Sequence, residues 1–220
     1  MSNIKTNDLF DIKADYLQEL FNGCEYPWQI LPKIKDCILK LINEAPTDFT
    51  KYADGVLVGN NVKISDKATV IAPAIIGANT EIRPGAFIRG NVIIGENCVI
   101  GNSSELKNCV LLNNVQVPHY NYVGDSILGN YSHLGAGSIC SNLKADKSNV
   151  VIRGKTEFET NLRKVGAILG DGADVGCNCV LNPGTIIGKN SRVYPLTSVR
   201  GVIDENSIVK SMNDIVVIKK

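Results

Sequence analysis

The sequence predicts an all-β solenoid of hexapeptide repeats preceded by a short helical unit. Three observations support this: aliphatic residues recur every six positions, small residues recur four positions after them, and the first 50 or so residues follow a helical period instead. A period of six matches neither the 3.6 residues of a helix nor the two of a strand. Three hexads make one turn of a triangular coil, and such coils stack so that each contacts only its neighbours.

The aliphatic position of the hexad is the strongest signal in the chain. Steps of six within residues 58–112, and again within residues 169–199, reach an aliphatic residue every time. We expect these side chains to fill the interior of the coil, with the small residues packed beside them near each corner. Cys98 and Cys179 fall on the small position, so we predict that both thiols pack in the core.

The first 50 residues lack the period of six and are predicted to be helical. Apolar residues recur there at helical spacing, in two groups: Leu17, Leu20 and Phe21, then Ile34, Ile38, Leu41 and Ile42. Terminal repeats of a solenoid need covering. We therefore predict that residues 1–50 form a helical cap over the first coil and that residues 51–220 form the solenoid.

Two irregularities interrupt the step of six. Leu112 and Leu128 stand two positions closer together than three hexads require, and the segment Pro118–Tyr122 lies between them. The longer irregularity, about residues 142–168, is polar and charged and is predicted to be an excursion from the solenoid. Because loops on a rigid scaffold often carry function, we look for chemistry at both places; a loop without function is the alternative.

Composition argues against several classes of function. The 220 residues carry a formal net charge of +1, which provides no basic field for nucleic acid or an anionic membrane. No segment has the roughly 20 apolar residues of a membrane span, and the N-terminus has no apolar signal core. Seven cysteines without a C-x-x-C pair, and only two histidines, argue against a disulfide framework or a zinc site. We expect a cytoplasmic protein with no bound metal.

Candidate ligand-binding side chains follow from the geometry of the coil. Arg89 and Lys107 are separated by three hexads, which make one full coil, so both should point outward at the same place on one face. Stacked cations suit a phosphate group, and an ordinary solvated pair is the alternative. His119 lies in the first irregularity, where an imidazole suits the general base of acyl transfer from a thioester to an amine; a structural histidine is the alternative.

Two stretches resemble known families. The hexads match the [Leu/Ile/Val]-Gly-x-x-x-x signature of the bacterial transferase hexapeptide family, which implies a left-handed coil. Residues 100–142 resemble, without a gap, the acetyltransferase domain of the bifunctional enzymes that make UDP-N-acetylglucosamine, through the motifs Glu105-x-Lys107 and His119-x-x-Tyr122-x-Gly124-Asp125. Residues 163–188 resemble the C-terminal solenoid of sugar-1-phosphate nucleotidylyltransferases.

The resemblance implies an acetyl-CoA-dependent N-acetyltransferase that acts on glucosamine-1-phosphate or galactosamine-1-phosphate, in UDP-N-acetylhexosamine and cell-envelope sugar metabolism. In that family the histidine deprotonates the amino group of the sugar. The matching positions assign this catalytic role to His119, oriented by Glu105. They assign substrate binding to Arg89, Lys107, Tyr122, His133, Asn142 and Lys147, and contacts with acetyl-CoA to Ala136, Cys177 and Pro195.

The same resemblance implies a homotrimer, with acetyl-CoA as a co-substrate between neighbouring solenoids and with no tightly bound cofactor. Two positions depart from the family pattern. His133 stands where the family has an asparagine, and Lys147 matches a family lysine only approximately because the excursion replaces a short loop. These departures leave the identity of the sugar open.

Three other functions compete with this interpretation. A zinc hydrolase on the same solenoid needs three histidines per metal, and the chain has two. An acyl-carrier-dependent O-acyltransferase does not account for the Arg89–Lys107 pair or for the motifs between Glu105 and Tyr122. A non-catalytic scaffold or regulator of a sugar-nucleotide enzyme would show no thermal stabilisation by CoA, whereas a transferase should be stabilised by it.

Overall fold

The structure, a computed structural model, describes residues 4–13, 15–44 and 46–210; residues 1–3 and 211–220, at the outer ends of the two predicted units, lie outside the described residues. The described chain forms a left-handed parallel β-helix in which successive coils add short strands to three sheets. The strands pair in parallel with those of the coils before and after. The predicted fold class is confirmed.

The three sheets form the three sides of the coil. Sheet A contains β1 (Phe49–Ala53), which is antiparallel to its neighbour, then β2 (Val56–Gly59), β5 (Ala74–Ile76), β8 (Val92–Ile94), β11 (Cys109–Leu111), β14 (Ile127–Leu128), β19 (Ala167–Leu169), β22 (Thr185–Ile187) and β25 (Val202–Ile203). Sheet B contains β3 (Lys63–Ile64), β6 (Glu81–Ile82), β9 (Val99–Asn102), β12 (Gln116–His119), β15 (His133–Leu134), β20 (Asp174–Val175), β23 (Arg192–Val193) and β26 (Ile208–Val209).

Sheet C and a separate hairpin complete the strands. Sheet C contains β4 (Thr69–Val70), β7 (Phe87–Ile88), β10 (Glu105–Lys107), β13 (Tyr122–Gly124), β16 (Ile139–Cys140), β21 (Val180–Leu181) and β24 (Ser198–Val199). The excursion leaves the solenoid after β16 and returns at β19. It contains an antiparallel hairpin of β17 (Val151–Arg153) and β18 (Glu157–Glu159).

The interior of the coil is filled by the aliphatic residues of the hexad. Ile76, Ile82 and Ile88 are the inward residues of one coil, and all three are almost completely buried. Cys98 and Cys179 belong to the same core, as predicted. Burial raises the pKa of the Cys98 thiol to about 12, because the thiolate would lose its hydration there.

The step of six contracts to five at the corner between sheets C and A. The inward residue that follows Leu106 is Leu111, whereas the predicted Leu112 belongs to the apolar cluster on the outside of the coil. The same contraction separates Val123 from Leu128. In this region the paired residues of adjacent coils, such as Val92 and Cys109, are therefore 17 positions apart, one fewer than three hexads require.

This contraction accounts for the first irregularity in the sequence. Val117 and Val123 are completely buried inward residues, so the segment around His119 belongs to a regular coil. The predicted break between Leu112 and Leu128 exists, but its predicted place in the segment Pro118–Tyr122 is wrong. One position is lost between Val123 and Leu128, and the other is lost before the interval, between Leu106 and Leu111, so that Leu112 is not an inward residue.

The N-terminal helices pack against the side of the solenoid. They are α1 (Thr6–Leu9), α2 (Asp15–Phe21) and α3 (Ile34–Glu44), with a 3-10 segment at Pro27–Lys33. They share an apolar cluster with the outward residues of sheet A, which are all buried: Leu57, Ile75, Ile93, Val110, Ile127, Ile168 and Ile186. Within the described residues, no helix combines the length and the apolar composition that crossing a membrane requires.

The structure places the helices differently from the predicted cap. Val58, Ile64 and Val70, the inward residues of the first coil, remain only partly buried, whereas the outer face of sheet A is covered. Ile152 and Phe158 of the hairpin pack in the same outer cluster. The helices and the hairpin together cover one side of the triangle, so the other two sides carry the exposed polar positions.

Candidate active site

Residues that occupy the same position in successive coils lie directly above one another, and we call such a set a column. On sheet C one column of outward residues consists of Arg89, Lys107, Gly124, Ser141, Asn182 and Arg200. The residues before them point inward, because successive side chains of a strand alternate between its two faces. The predicted stacking of Arg89 below Lys107 follows from this pairing.

Arg89 and Glu105 form an ion pair on the open face of sheet C. An Nη atom of Arg89 lies 2.6 Å from a carboxylate oxygen of Glu105. This hydrogen bond, together with the negative charge of Glu105, raises the pKa of the Arg89 guanidinium. Both side chains remain partly exposed, so a phosphate can reach the guanidinium and compete with the carboxylate for it.

A hydrogen-bonded cluster lies beside these charges. The amide nitrogen of Asn142 is 3.2 Å from the Tyr122 hydroxyl and 2.5 Å from a carboxylate oxygen of Asp125. The other carboxylate oxygen of Asp125 accepts a hydrogen bond from the Asn108 side chain at 2.9 Å. Burial raises the pKa of the Tyr122 hydroxyl above its ordinary value.

Glycine is required at the centre of this cluster. A Cβ atom on Gly124 would collide with the hydroxyl of Tyr122 and with the amide nitrogen of Asn142. Gly124 and Asp125 appear in the motif that carries the family resemblance, but sequence reasoning gave neither a role. A buried aspartate at a corner between two apolar hexads is the signal that points to Asp125.

His119 stands at the corner between sheets B and C. It is the last residue of β12 and is exposed. The chain turns through Tyr120, whose φ is +52°, and then through the buried Asn121, whose side-chain oxygen accepts the His119 main-chain N–H at 3.1 Å. Within the described part of the chain the imidazole makes no hydrogen bond, and Glu105 is bonded to Arg89. The orienting role of Glu105 therefore stays a prediction.

The predicted acetyl-CoA contacts lie in one column with the histidine. Main-chain bonds connect successive coils along this edge at 2.8–3.0 Å, from Gly137 to the His119 carbonyl, from Asn178 to the Ala136 carbonyl and from Leu196 to the Cys177 carbonyl. We call the set of His119, Ala136, Cys177 and Pro195 the edge column. The edge column and the column that contains Lys107 lie at opposite ends of the short sheet C strands, so they are about the length of one strand apart.

Two predicted substrate residues lie apart from this group in the protomer. His133 is on sheet B, where it pairs with Gln116 of β12, and its Nδ1 atom lies 2.9 Å from a carboxylate oxygen of Asp174. Lys147 occupies a turn of the excursion with a φ of +58°, and its side chain is exposed. The structure thus brings Arg89, Glu105, Lys107, Tyr122 and Asn142 together and leaves His133 and Lys147 elsewhere.

Several known proteins with similar sequences carry names that describe them as bifunctional. A family profile described as the GMPPB C-terminal domain matches residues 70–161. The bifunctional protein GlmU of Methanocaldococcus jannaschii is 31% identical over 212 residues, which cover 93% of this chain and 51% of that protein. The chain is a hexapeptide-repeat homologue of the GlmU-type proteins. The resemblance predicted from the residues is confirmed, and the chain spans about half the length of the GlmU-type relatives.

Two further similarities are more limited. The bifunctional sugar-1-phosphate nucleotidylyltransferase/acetyltransferase of Sulfurisphaera tokodaii is 32% identical over 151 residues, which cover 63% of this chain and 38% of that protein. Among solved structures, a variant of AntD, an N-acyltransferase from Bacillus cereus, is 19% identical, with a TM-score of 0.44 and coverage of 79% of this chain and 91% of that one.

Proposed function

We propose that this chain is an acyl-CoA-dependent N-acyltransferase that acetylates the amino group of a hexosamine 1-phosphate, with glucosamine-1-phosphate and galactosamine-1-phosphate as the first candidates. The relative from Sulfurisphaera tokodaii is named as an acetyltransferase as well as a nucleotidylyltransferase, which supports this proposal. The observation that carries the proposal is the position of His119. It begins the edge column of Ala136, Cys177 and Pro195, and it borders the polar face of sheet C.

The reaction needs one base and two oriented substrates. In our proposal the sugar amino group reacts as the neutral amine, and His119 takes one proton from its nitrogen as that nitrogen attacks the thioester carbonyl carbon. The C–N bond forms, the C–S bond breaks, and the thiolate of CoA leaves with a proton. A correctly placed base contributes roughly 10²–10⁴ in rate, and orientation of the substrates contributes on the order of 7–11 kcal/mol of the barrier.

The polar face of sheet C suits the acceptor. Arg89 and Lys107 present a guanidinium and an ammonium group to one place, which matches a phosphate. Tyr122 and Asn142, held by Asp125, supply hydrogen-bonding groups for the sugar hydroxyls. In this assignment the acceptor lies across sheet C, with its phosphate on the Lys107 side and its amino group towards the histidine.

Acetyl-CoA is proposed as the co-substrate along the edge column. Ala136, Cys177 and Pro195 carry short side chains on three successive coils above the histidine. Strands of adjacent coils are about 4.8 Å apart, so the column offers an extended line for a flexible carrier that delivers its thioester at His119.

A homotrimer is proposed as the working assembly. The helices and the hairpin cover the outer face of sheet A, so contacts between copies must use sheets B and C. If sheet B of one copy faces sheet C of the next, His133 of the first copy approaches the acceptor of the second. Lys147, on the exposed excursion of one copy, would likewise approach the acceptor of a neighbouring copy.

The base assignment is tested with His119→Ala. We expect release of free CoA thiol from acetyl-CoA in the presence of glucosamine-1-phosphate to fall by roughly 10²–10⁴. Tyr52→Ala is the matched control, because it removes an exposed ring from β1, on the sheet A side of the protein. Equal thiol release from the His119→Ala variant and the wild type would refute the role of His119 as base.

The acceptor assignment is tested with Lys107→Ala. Loss of one charged contact with the phosphate should raise the KM for the phosphorylated sugar by about tenfold to a hundredfold, as expected for roughly 1.5–3 kcal/mol of charge-assisted bonding. The KM for acetyl-CoA should stay nearly constant. Lys51→Ala, which removes an exposed cation from β1 on the sheet A side, is the control. A weakened dependence on CoA would mean that the two faces are assigned the wrong way round.

A further inference from the structure

A cleft of about 440 Å³ lies under the hairpin, at the upper end of the sheet C column. We call it the hairpin cleft. One wall is formed by three residues of the sheet C column, Ser141, Asn182 and Arg200, with Pro183 and Gly201 beside them. The opposite wall is formed by the excursion: Leu143, Lys144, Ala145, Asp146, Val151 and Arg153.

The hairpin is held tightly above this cleft. Ile152 is completely buried in the outer cluster of sheet A, and Val151 and Arg153, its neighbours in β17, line the cleft because side chains of a strand alternate. Two glycines with positive φ permit the close approach. A Cβ on Gly184 would lie 2.8 Å from Val150, and one on Gly201 would lie 2.5 Å from the Arg153 carbonyl oxygen. The hairpin and the solenoid are therefore fitted to each other here.

The walls of the hairpin cleft carry three cations and one carboxylate. Asp146 is already engaged, since Lys144 lies 3.5 Å from one of its oxygens and the other accepts bonds from Ser148. Arg153 reaches Glu157, outside the lining, at 3.5 Å. Arg200 contacts the Asn182 amide oxygen at 3.5 Å and, in the described part of the chain, no carboxylate. The cleft therefore has an excess of positive charge.

These cations are separate from those proposed to hold the sugar phosphate. Arg200 stands four coils above Lys107 in the sheet C column, which at about 4.8 Å per strand spacing is about 19 Å. One phosphate cannot contact both groups. The positions between them carry no charge: Gly124, Ser141 and Asn182.

The chemistry of the hairpin cleft fits a nucleotide. Two guanidinium groups and an ammonium group match the oxygens of phosphate or diphosphate. Leu143, Val151 and Pro183 add apolar surface against which a ribose or a base can pack. The volume lies in the range of small-molecule sites rather than that of a single ion.

We propose that the hairpin cleft binds the phosphate groups of a nucleotide, with Arg153 and Arg200 as the principal ligands. The nucleotide has two chemical sources: a nucleoside diphosphate linked to the acceptor sugar, or the phosphorylated adenosine of acyl-CoA. Binding in the cleft does not depend on acyl transfer. Its assignment to acceptor or carrier rests on the proposed function.

The test measures binding by isothermal titration calorimetry on the full chain. The probes are UDP, CoA, dephospho-CoA and glucosamine-1-phosphate, and the variants are Arg153→Gln and Arg200→Gln. The loss of one charge-assisted contact should raise the Kd of the nucleotide in the cleft by about tenfold or more, whereas the Kd of glucosamine-1-phosphate should stay the same. Lys155→Gln is the control, because it removes an exposed cation from the same hairpin outside the cleft. Thermal unfolding verifies that each variant is folded.

Each outcome has a distinct meaning. Weaker UDP binding with unchanged CoA binding assigns the cleft to an acceptor linked to a nucleoside diphosphate, which would then replace the hexosamine 1-phosphate as the proposed acceptor. Weaker CoA binding assigns it to the carrier, and an effect that disappears with dephospho-CoA places the 3′-phosphate there. If both nucleotides bind both variants as tightly as they bind the wild type, or do not bind the wild type, the proposal is overturned. Absence of acyl transfer by the wild type, with nucleotide binding retained, contradicts the proposed function and leaves the binding result unaffected.

Discussion

Sheets A and C have the same interior and opposite exteriors. Both sheets are built on inward aliphatic residues at the same position of the hexad pattern, such as Ile94 under sheet A and Leu106 under sheet C. On the outside, Ile93 of sheet A is buried beneath the helices, whereas Glu105 and Lys107 of sheet C remain accessible. The hexad thus determines the coil, and the residue that points away from the coil determines whether a side packs against helices or stays accessible.

This difference is visible within single strands. The strands Ala74–Ile76 and Val92–Ile94 of sheet A are apolar throughout, which is typical of parallel strands that are buried on both faces. The sheet C strand Glu105–Lys107 alternates polar and apolar residues, which is typical of a sheet with one exposed face. Three experiments test how far this contrast extends.

The largest expected effect on stability concerns the outer face of sheet A. Ile93 is completely buried, and α3 packs against β8, the strand that contains it. Ile93→Ala should therefore lower the free energy of unfolding by about 2–5 kcal/mol, through lost apolar burial and the cavity that remains. Urea unfolding followed by circular dichroism, at one fixed protein concentration, measures the change.

The matched variant lies on sheet C. Ile139 also points outward, but 40% of it is exposed, so Ile139→Ala should change the free energy of unfolding by only about 0.5 kcal/mol. If the two variants lose similar free energies of unfolding, the outward residues of sheets A and C contribute equally to stability, and the proposed difference between the two sheets is wrong.

A smaller effect tests whether the two interiors are equivalent. Cys109 lies under sheet A and Cys140 under sheet C, and burial raises the pKa of both thiols, that of Cys140 to about 12. The unfolded thiol ionises near about 8.5, so above that pH the unfolded state releases a proton that the folded state keeps. Stability is therefore lost as pH rises from about 8.5 towards the folded pKa, at up to about 1.4 kcal/mol per pH unit for each thiol.

Removal of either buried thiol should reduce this alkaline loss by the same amount. Cys109→Ala and Cys140→Ala are compared by urea unfolding at several values of pH between about 9 and 10.5. The wild type, measured at the same pH values, is the reference for both slopes. Different slopes for the two buried positions would show that the interior is not the same beneath the two sheets.

The sequence predicts the interior of the molecule better than its exterior. The step of six identifies inward residues because an error of one position would expose a large apolar side chain. It misplaced Leu112, however, because a contraction at one corner is hidden when the following residue, here Leu112 after Leu111, is also apolar. The cover over sheet A was missed as well, although the uninterrupted apolar strands carried the signal.

The candidate site shows the same limit. The spacing of three hexads placed Lys107 above Arg89, because stacking depends only on the length of a coil. The network of Tyr122, Asn142 and Asp125 depends on side-chain directions and on the space beside Gly124, which spacing does not describe. The position of His133 on another face follows from the coil as well, and its approach to the acceptor of a second copy is part of the proposed assembly.

The smallest expected effect on stability is at the ion pair of Arg89 with Glu105. The two side chains are 41% and 31% exposed, and pairs of this kind contribute about 0–1 kcal/mol. Glu105→Gln should therefore leave urea unfolding nearly unchanged. Its effect on the reaction should be larger if Glu105 orients His119 as predicted, because we expect a bound phosphate to take Arg89 from the carboxylate and to free Glu105 for that role.

The kinetic constants of Glu105→Gln separate two roles for this carboxylate. If Glu105 orients the imidazole, kcat should fall by about tenfold, which corresponds to roughly 1.4 kcal/mol of transition-state stabilisation. The KM for the sugar phosphate should not rise, since an amide competes with the phosphate for Arg89 less strongly than a carboxylate does. A higher KM with unchanged kcat would mean that Glu105 serves only to hold Arg89, and the open face of sheet C would then bind the acceptor without helping the base.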